Sequence, residues 1–178
     1  MDISKALQIK GWMAPDELEW LAEQASKSNC IIEIGTYYGR SARAMADNMP
    51  KDALLYCIDP YSGRAYYESN VTGAMYSGNY IFQQAQKNLA EFGGRVTFHR
   101  GTTQDFPYHI KPDFIFIDGD HTHEAVLKDI EFALAMKPRV IAGHDYIHNW
   151  AGVVTAVNEK FPTVGVVNTI WYLSLPSH

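Results

Sequence analysis

The sequence predicts an α/β fold in which a seven-stranded, mainly parallel sheet with one antiparallel edge strand carries helices on both faces. Short, continuous apolar runs, typical of strands buried on both faces of a parallel sheet, alternate along the chain with segments of helical periodicity. Residues 163–176 end this alternation with two strand-like runs joined by a tight turn, which predicts the antiparallel strand. One domain, spanning residues 1–178, is expected at this length.

The individual elements follow from apolar spacing and from residues that begin or end helices. The apolar runs predict strands over 30–35, 53–59, 95–101, 113–119 and 139–145. Apolar residues at helical spacing predict helices over 14–28, 41–49, 79–94, 124–136 and 151–161. Pro15 suits the first turn of the first helix, Ser41 the N-cap of the second, and Gly93 the end of the third. Residues 60–80, rich in Gly, Ser and Tyr, are predicted to be a loop that either packs under itself or closes over the site as a lid.

Composition and charge exclude several classes of partner. The formal net charge of −5, from 15 basic and 20 acidic residues, leaves no electrostatic footprint for nucleic acid or an anionic membrane. The sequence has no run of about 18 apolar residues and no signal-like N-terminus, so a cytoplasmic protein without membrane contact is expected. Cys30 and Cys57 lie in or beside apolar runs and are expected to be free thiols that behave as small hydrophobic residues.

The segment IIEIGTYYGRS predicts a sharp turn from a strand into a helix. Gly35 and Gly39 bracket the turn, so backbone N–H groups can approach a ligand without obstruction from a Cβ atom. A dinucleotide fold would have G-x-G-x-x-G here, but Tyr37 occupies the middle position. Glu33 ends this strand, and Asp59 ends the next, where an acid can accept both ribose hydroxyls. These features indicate a nucleoside ligand with little phosphate.

The segment FIFIDGDHTHE delivers a polar cluster directly after a buried strand. Open α/β sheets bind ligands beyond the carboxyl ends of their strands, so Asp118 and His121 are candidates for chemistry. A divalent cation held by carboxylates lowers the pKa of a hydroxyl, and an imidazole can accept its proton. Asp118 could instead cap the following helix, and His123 is better interpreted as a residue of that helix's first turn.

Four segments in this order, EIGTYYGRS, YCIDPY, FIFIDGDHTHEAVLKDI and AGHDY, resemble the class I S-adenosylmethionine-dependent methyltransferases. The resemblance is closest to the small macrocin O-methyltransferase group and more distant to the metal-dependent catechol type. It implies a Rossmann-like methyltransferase fold, S-adenosylmethionine as methyl donor, and a hydroxyl of a small molecule as acceptor, on a sugar, a vicinal diol or a phenol. The absence of long insertions implies an open pocket, or one that a homo-oligomer completes.

The donor-binding residues that the resemblance implies follow three strands. Glu33 would hold the amino group of the methionine part, and Asp59 would hold the ribose hydroxyls. The methionyl and ribosyl parts would pack against Gly35, Thr36 and Gly39. Adenine would be contacted by Thr102 and Thr103, which follow the strand over 95–101.

For the acceptor side, the resemblance implies a metal site and a base. Asp118 and Asp145 would bind a divalent cation, with Mg²⁺ expected, and His121 would be the general base. In the family an Asn or Asp follows the second metal ligand, whereas this chain has Tyr146. The candidates for a third ligand are His144, His148 and Asp120. Histidine ligands would shift the preference toward Mn²⁺, Fe²⁺ or Zn²⁺.

Two other classes of function remain open. A metal-dependent hydrolase could activate water at the same cluster, but it would leave Glu33, Gly35 and Asp59 without a role. The residues of that site would be Asp118, His121, His144 and Asp145. A non-catalytic nucleoside-binding module would keep the donor pocket without a working acceptor site, an alternative that Tyr146 leaves open. An NAD-linked oxidoreductase ranks below both because the glycine pattern is wrong.

Overall fold

The computed structural model describes residues 1–62, 66–67 and 75–176. Its strands, numbered along the chain, are β1 (Cys30–Ile34), β2 (Leu54–Ile58), β3 (Tyr66–Tyr67), β4 (Met75–Tyr76), β5 (Val96–His99), β6 (Phe114–Ile117), β7 (Val140–Gly143), β8 (Gly165–Val167) and β9 (Ile170–Ser174). Its α-helices are α1 (Pro15–Ala25), α2 (Arg40–Asn48), α3 (Gly78–Leu89), α4 (His123–Met136) and α5 (Ala151–Lys160). Short 3₁₀ helices cover Ala6–Gln8, Ala90–Arg95 and Thr103–Asp105.

Seven of these strands form one sheet in the order β5-β2-β1-β6-β7-β9-β8. β5, β2, β1, β6 and β7 run parallel, whereas β9 runs antiparallel to both β7 and β8. The prediction of a seven-stranded, mainly parallel sheet is confirmed. β8 forms the edge and β9 lies one position inside it. Ile170 and Trp171 of β9 are therefore buried, while Val166 of β8 is half exposed.

Successive strands run outward from β1 in two directions, first to β2 and β5 and then, on the other side, to β6 and β7. The carboxyl ends of β1 and β6 are therefore neighbours at a topological switch point, where open α/β sheets bind ligands. The chain leaves β1 toward α2 and leaves β6 toward α4, so the two loops open at one edge of the sheet. Glu33 and Asp118 lie at this edge.

β6 illustrates how the sheet is covered on both faces. Phe114 and Phe116 belong to the apolar cluster formed with α1 and α2, and Ile115 and Ile117 belong to the cluster formed with α4 and α5. All four side chains are buried, and burial of each contributes about 1.5–3 kcal/mol. The continuous apolar run therefore reflects burial on both faces, as the sequence predicts.

Several helix boundaries differ from the predictions, and α1 ends at Ala25 rather than at residue 28. α3 ends at Leu89, earlier than predicted, and the chain continues into the 3₁₀ helix Ala90–Arg95. Ser41 does not cap α2, so that prediction is wrong. α2 begins one residue earlier, with Gly39 at the N-cap in a left-handed conformation, and Ser41 Oγ donates a hydrogen bond to Glu33 instead.

Residues 63–65 and 68–74 of the predicted lid, 60–80, lie outside the described residues. Within it the structure describes the antiparallel pair of β3 with β4 and the start of α3 at Gly78. In the part of the chain that the structure describes, no helix is both long and apolar enough to cross a lipid bilayer.

Candidate functional site

The glycine turn between β1 and α2 packs against the carboxyl end of β6. Gly35 and Gly39 have φ values of +88° and +83°, in the left-handed region that disfavours residues with a Cβ atom. A Cβ atom on Gly35 would lie 1.9 Å from the backbone carbonyl oxygen of Asp118. The turn can therefore approach β6 this closely only with glycine at position 35. The turn and the Asp118 loop are in direct backbone contact.

Gly35→Ala is expected to lower both the free energy of unfolding and the affinity for a ligand on the glycine turn. The stability loss should exceed the about 1–2 kcal/mol that a left-handed conformation alone costs, because the methyl group also displaces the Asp118 carbonyl. Denaturant titration measures this loss. Gly94→Ala is the control, since nothing lies within 4 Å of a Cβ atom built at that position. Equal losses in the two variants would contradict the steric argument.

Asp59, at the end of β2, fastens the glycine turn to the sheet. Its Oδ2 accepts hydrogen bonds from the backbone N–H groups of Thr36 at 3.0 Å and Tyr37 at 2.9 Å, and its Oδ1 accepts one from Tyr61 at 2.8 Å. Burial raises the pKa of Asp59, and these three hydrogen bonds oppose that rise. A carboxylate has about four lone-pair directions, so about one remains for a ligand. The ribose-binding role of Asp59 stays a prediction beside this structural one.

Two buried polar groups at the same turn lack a hydrogen-bond partner. Glu33 is fully buried, and its Oε1 accepts a hydrogen bond of 2.5 Å from Ser41 Oγ, whereas its Oε2 has no partner. Thr36 Oγ1 is also buried without an aligned hydrogen bond, although it lies near the Glu33 side chain. Burial raises the pKa of Glu33 to about 8, although interactions with the Ser41 and Thr36 side chains lower it. Buried polar groups are rarely left unpaired, so this arrangement indicates a place for a polar ligand.

Thr102 and Thr103 lie after β5 and have partners within the protein. The Thr102 N–H and hydroxyl both donate to Asp105 Oδ1, at 2.6 and 3.1 Å. The Thr103 hydroxyl donates to Asp129 Oδ1 of α4 at 2.8 Å, and the Gln104 amide donates to Thr103 Oγ1. Burial raises the pKa of Asp129 to about 6. Adenine binding by the two threonines stays a prediction.

The ends of β6 and β7 bring Asp118, His121 and Asp145 together. His121 Nε2 lies 2.9 Å from Asp145 Oδ2 and 3.8 Å from Asp118 Oδ1. One ligand atom from each of the three residues lies within 4.8 Å of the others, a spacing that a metal ion can bridge. Asp118 does not cap α4, because the N-cap is Thr122. The alternative that Asp118 caps the following helix is therefore not observed.

His144 joins this cluster from β7 and is almost fully buried. Its Nδ1 lies 3.5 Å from both Asp118 Oδ1 and Asp145 Oδ2, and its Nε2 lies 3.1 Å from Glu17 Oε2 on α1. Burial alone would lower the pKa of His144, but the three carboxylates outweigh it and raise the pKa far above its usual value. Conversely, burial would raise the pKa of Glu17, but hydrogen bonds from His144, Thr169 and Ala14 lower it to about 2.

The donor atoms present fit a divalent cation. The Asp118 and Asp145 carboxylates converge with two imidazole nitrogens, His121 Nε2 and His144 Nδ1, and His121 Nε2 is buried without an aligned hydrogen bond. Oxygen and imidazole ligands of this kind suit divalent metals. Burial would raise the pKa of Asp145, but His121 and His144 hold that pKa well below its usual range, so Asp145 is ionised and able to coordinate.

Four nearby residues do not complete the cluster, because three are bonded elsewhere and one is exposed. Asp120 Oδ1 accepts the Thr122 N–H, and His148 is exposed. The hydroxyl of Tyr146 donates to Asn158 Oδ1 on α5 at 2.7 Å, so this side chain is engaged by the helix. His123 is the first residue of α4 and pairs with Glu159, as the helix interpretation predicts. Of the three candidates for a third ligand, only His144 lies against both carboxylates.

His121 borders the open side of the cluster. Its ring stacks on Trp150 at 4.3 Å between centroids, and Trp150 is 43% exposed. Burial would lower the pKa of His121, but Asp118 and Asp145 outweigh it and raise the pKa to about 9. His121 is therefore a cation at neutral pH in this arrangement. A metal cation beside the same carboxylates would lower that pKa and free the imidazole to accept a proton.

A family described as a methyltransferase domain matches residues 32–146, which is more than half of the chain. The chain belongs to this methyltransferase family. The matched segment begins one residue before Glu33 and ends one residue after Asp145, so it contains both the glycine turn and the Asp118 cluster of the methyltransferase. A search of the curated proteins finds no match.

Solved structures show which fold the methyltransferase shares. The O-methyltransferase from Bacillus cereus, in complex with SAH, is 18% identical, with 97% of this chain and 90% of that chain covered and a TM-score of 0.69. The O-methyltransferase TomG from Streptomyces achromogenes, involved in tomaymycin synthesis and in complex with SAM, is 18% identical, with 93% and 82% covered and a TM-score of 0.66. A TDP-rhamnose 3′-O-methyltransferase of calicheamicin biosynthesis is 12% identical, with 90% and 78% covered and a TM-score of 0.64.

At these identities the solved structures show the fold alone. Together with the family match, they confirm that the sequence resembles class I methyltransferases. The closer likeness to the macrocin group stays a prediction.

Proposed function

We propose that this methyltransferase moves a methyl group from S-adenosylmethionine to a hydroxyl of a small molecule, with the help of a divalent cation. The observation that carries the proposal is the close approach of Gly35 to the Asp118 carbonyl, which brings the glycine turn against the Asp118 cluster. A donor lying on the turn would present its methyl group toward an acceptor oxygen held at the cluster. Such positioning of two reactants removes a large part of the barrier to in-line transfer.

The donor side is built from the buried groups of the glycine turn. Glu33 Oε2, which lacks a partner, suits the ammonium group of the donor, and Thr36 Oγ1 offers a second polar contact at the same turn. Asp59 would keep one lone-pair direction for the ribose, while Gly35 and Gly39 let the methionyl part approach the backbone. Solved enzymes of the same fold in complex with SAM or SAH support this donor.

On the acceptor side, Asp118, His144 and Asp145 would hold the cation and His121 would take the proton of the hydroxyl. The two imidazoles differ in exposure, since the His144 side chain is 8% exposed and that of His121 is 30% exposed. The buried imidazole, with its other nitrogen already bonded, suits a ligand, and the more exposed one suits a base. When bound, a divalent cation lowers the pKa of an alcohol and holds it in place. Mg²⁺ is the ion that the resemblance implies.

Trp150 supports a cyclic acceptor. Its ring, stacked on His121 and 43% exposed, forms a flat wall beside the proposed base. Exposed aromatic side chains pack against sugar rings and phenols, and an acceptor beside the His121–Trp150 pair would have its hydroxyls near the base. A sugar, a vicinal diol or a phenol fits this site, and one enzyme of the same fold is named for methylation of TDP-rhamnose.

The alternatives explain less of the molecule. A hydrolase would use the Asp118 cluster but would leave the unpaired Glu33 and Thr36 atoms without a role. A non-catalytic nucleoside-binding module would need no base, yet His121 lies beside the cluster on its open side. An experiment that detects methyl transfer would exclude both alternatives.

The test is a binding and turnover experiment on the full chain. Calorimetry should show saturable binding of S-adenosylmethionine and of its demethylated product. Isotopically labelled donor should then transfer its methyl group to members of a panel of sugars, nucleotide sugars and catechols, with and without added Mg²⁺ or Mn²⁺. Excess chelator should stop transfer but leave donor binding nearly intact. Absence of donor binding would overturn the proposal, and full transfer in chelator would remove the cation from it.

Donor affinity is expected to depend on pH through Glu33. Its pKa of about 8 in the free protein means that the carboxyl is mostly protonated at pH 7. Because the ammonium group of the donor favours the ionised form, binding releases a proton below pH 8, and affinity should rise with pH by up to about tenfold per unit. Above pH 8 affinity should fall again, since the donor's own α-amino group, with a pKa of about 7.7–8.0, loses its charge.

Calorimetry in buffers of different ionisation enthalpy measures the released proton directly. In Glu33→Gln the rising limb of the affinity profile and the proton release should both disappear. Glu124→Gln, on the exposed first turn of α4, is the control and should keep both. A proton count of zero in the wild-type protein at pH 7 would show that Glu33 does not face the ammonium group.

A further inference from the structure

The imidazole of His144 is held at both nitrogens by groups from different parts of the chain. Nε2 lies 3.1 Å from Glu17 Oε2, and Nδ1 lies 3.5 Å from Asp118 Oδ1 and 3.5 Å from Asp145 Oδ2. The side chain is only 8% exposed. With Nε2 occupied by Glu17, the nitrogen that can bind a ligand is the one that faces the two carboxylates.

Glu17 is itself fixed by three further hydrogen bonds. Its Oε2 accepts the Ala14 N–H at the start of α1, and its Oε1 accepts the N–H and the hydroxyl of Thr169, in the turn between β8 and β9. Its side chain is 3% exposed. A carboxylate with this many partners cannot rotate without breaking several of them, so it sets the orientation of the His144 ring.

A carboxylate that accepts a hydrogen bond from one nitrogen of an imidazole, whose other nitrogen faces acidic ligands, is the arrangement by which proteins orient metal-binding histidines. A cation with bonds of about 2.0–2.1 Å separates neighbouring ligand atoms by about 3.0–3.4 Å. The two distances of 3.5 Å from His144 Nδ1 lie close to that range. Among the described residues, the hydrogen bonds of Glu17 go to Ala14, His144 and Thr169, so His144 links it to the cluster carboxylates.

We infer that Glu17 is a positioning residue that presents His144 as the third metal ligand in place of the side chain at Tyr146, and that this ligand makes the site prefer Mn²⁺, Fe²⁺ or Zn²⁺ over Mg²⁺. The inference rests on the proposed cation-assisted function. Mg²⁺ favours oxygen ligands and retains several waters, whereas imidazole nitrogen binds transition metals more strongly. The nitrogen ligand therefore distinguishes this site from an all-oxygen one.

Competition between metal ions tests the inference without any turnover. The full chain is dialysed against mixtures of Mg²⁺, Mn²⁺ and Zn²⁺ and its bound metal is analysed, and titrations give the affinity for each ion. The wild-type protein should prefer Zn²⁺ and Mn²⁺. Glu17→Gln should lose about 10–100-fold in affinity for those two ions, and less for Mg²⁺. Glu19→Gln, the same change on the exposed face of α1, should match the wild-type protein.

The ratio of affinities separates positioning from simple destabilisation. A variant that only unfolds more easily loses affinity for all ions by the same factor, and that result would overturn the inference. If Glu17→Gln does not fold, His144→Ala decides, because its preference for Zn²⁺ and Mn²⁺ over Mg²⁺ must fall. Pulsed EPR of the Mn²⁺-loaded protein should show coupling to an imidazole nitrogen that His144→Ala removes. Coupling retained in His144→Ala would mean that another histidine is the ligand.

The failure of this inference is distinguishable from failure of the proposed function. Donor affinity is measured on the same samples before metal is added, and it depends on the glycine turn rather than on His144. A protein that binds donor but prefers Mg²⁺ would overturn the role of Glu17 alone. A protein that shows the expected metal preference but binds no donor would overturn the methyltransferase proposal and leave the metal site in place.

Discussion

Asp118→Asn is expected to abolish methyl transfer and metal binding while leaving donor affinity nearly unchanged. Asp118 lies between the two regions of the site, since its carbonyl contacts the glycine turn and its carboxylate faces His121 and His144. The amide is neutral, so one of the two negative charges that attract the cation disappears, whereas the backbone contact to Gly35 stays. Initial rates, metal titration and donor calorimetry on one preparation measure the three quantities.

Asp120→Asn is the matched control for this variant. It makes the same chemical change in the same loop, and its amide oxygen can still accept the Thr122 N–H. It should keep metal binding and turnover near wild-type values. If Asp118→Asn retains wild-type turnover at saturating metal, Asp118 does not bind the cation, and the proposed acceptor site is wrong.

His121→Ala is expected to fold and to bind donor normally but to lose roughly 10²- to 10⁴-fold in turnover, the range typical of general bases. The His121 side chain is 30% exposed, so an acceptor lying beside the stacked His121 and Trp150 rings could bring its hydroxyl within reach of the imidazole. Because the cation would remain bound by Asp118, His144 and Asp145, the loss should appear in kcat rather than in metal affinity. Steady-state kinetics over a range of pH measures it.

The pH profile provides a second measurement on this variant. A base that loses its proton before reaction gives a rate that rises with pH in the wild-type protein, and that rise should vanish in His121→Ala. His123→Ala, two residues further on and paired with Glu159 at the surface, should keep the wild-type profile. If His121→Ala keeps near-normal turnover across the range while Asp118→Asn is inactive, the base is a residue other than His121.

Local patterns in the sequence predicted most of the fold. The order of strands and helices follows from the alternation of apolar runs and helical spacing, because burial on both faces of a parallel sheet requires those runs. The same reasoning placed Glu33 and Asp118 at strand ends, where the structure finds them. The boundaries were less accurate, as at Ser41, because a one-residue shift of a helix start depends on the conformation of Gly39 and on the hydrogen bond to Glu33.

Partners within the site were harder to predict than positions. The sequence places Asp59 where a ribose could bind, but it cannot show that three backbone N–H groups already occupy most of the carboxylate. Thr102 and Thr103 likewise have internal partners that only the packing of α4 against the loop after β5 supplies. The residues next to a short polar side chain in the sequence do not indicate which groups will surround it in the folded protein.

The sequence by itself determined the class of the molecule: the parallel sheet, the glycine turn, and the acidic residues at the ends of β1 and β6, which are neighbours at the switch point. These features are local, because each depends on the type and spacing of a few consecutive residues. Only the tertiary structure decided how the acceptor site is completed. From the sequence, Glu17 is predicted to be an ordinary acidic residue in the first turn of a helix. In the folded protein it lies within hydrogen-bond distance of His144, 127 positions away along the chain. That contact depends on how α1 packs beside β7 and the turn between β8 and β9, which no local pattern specifies.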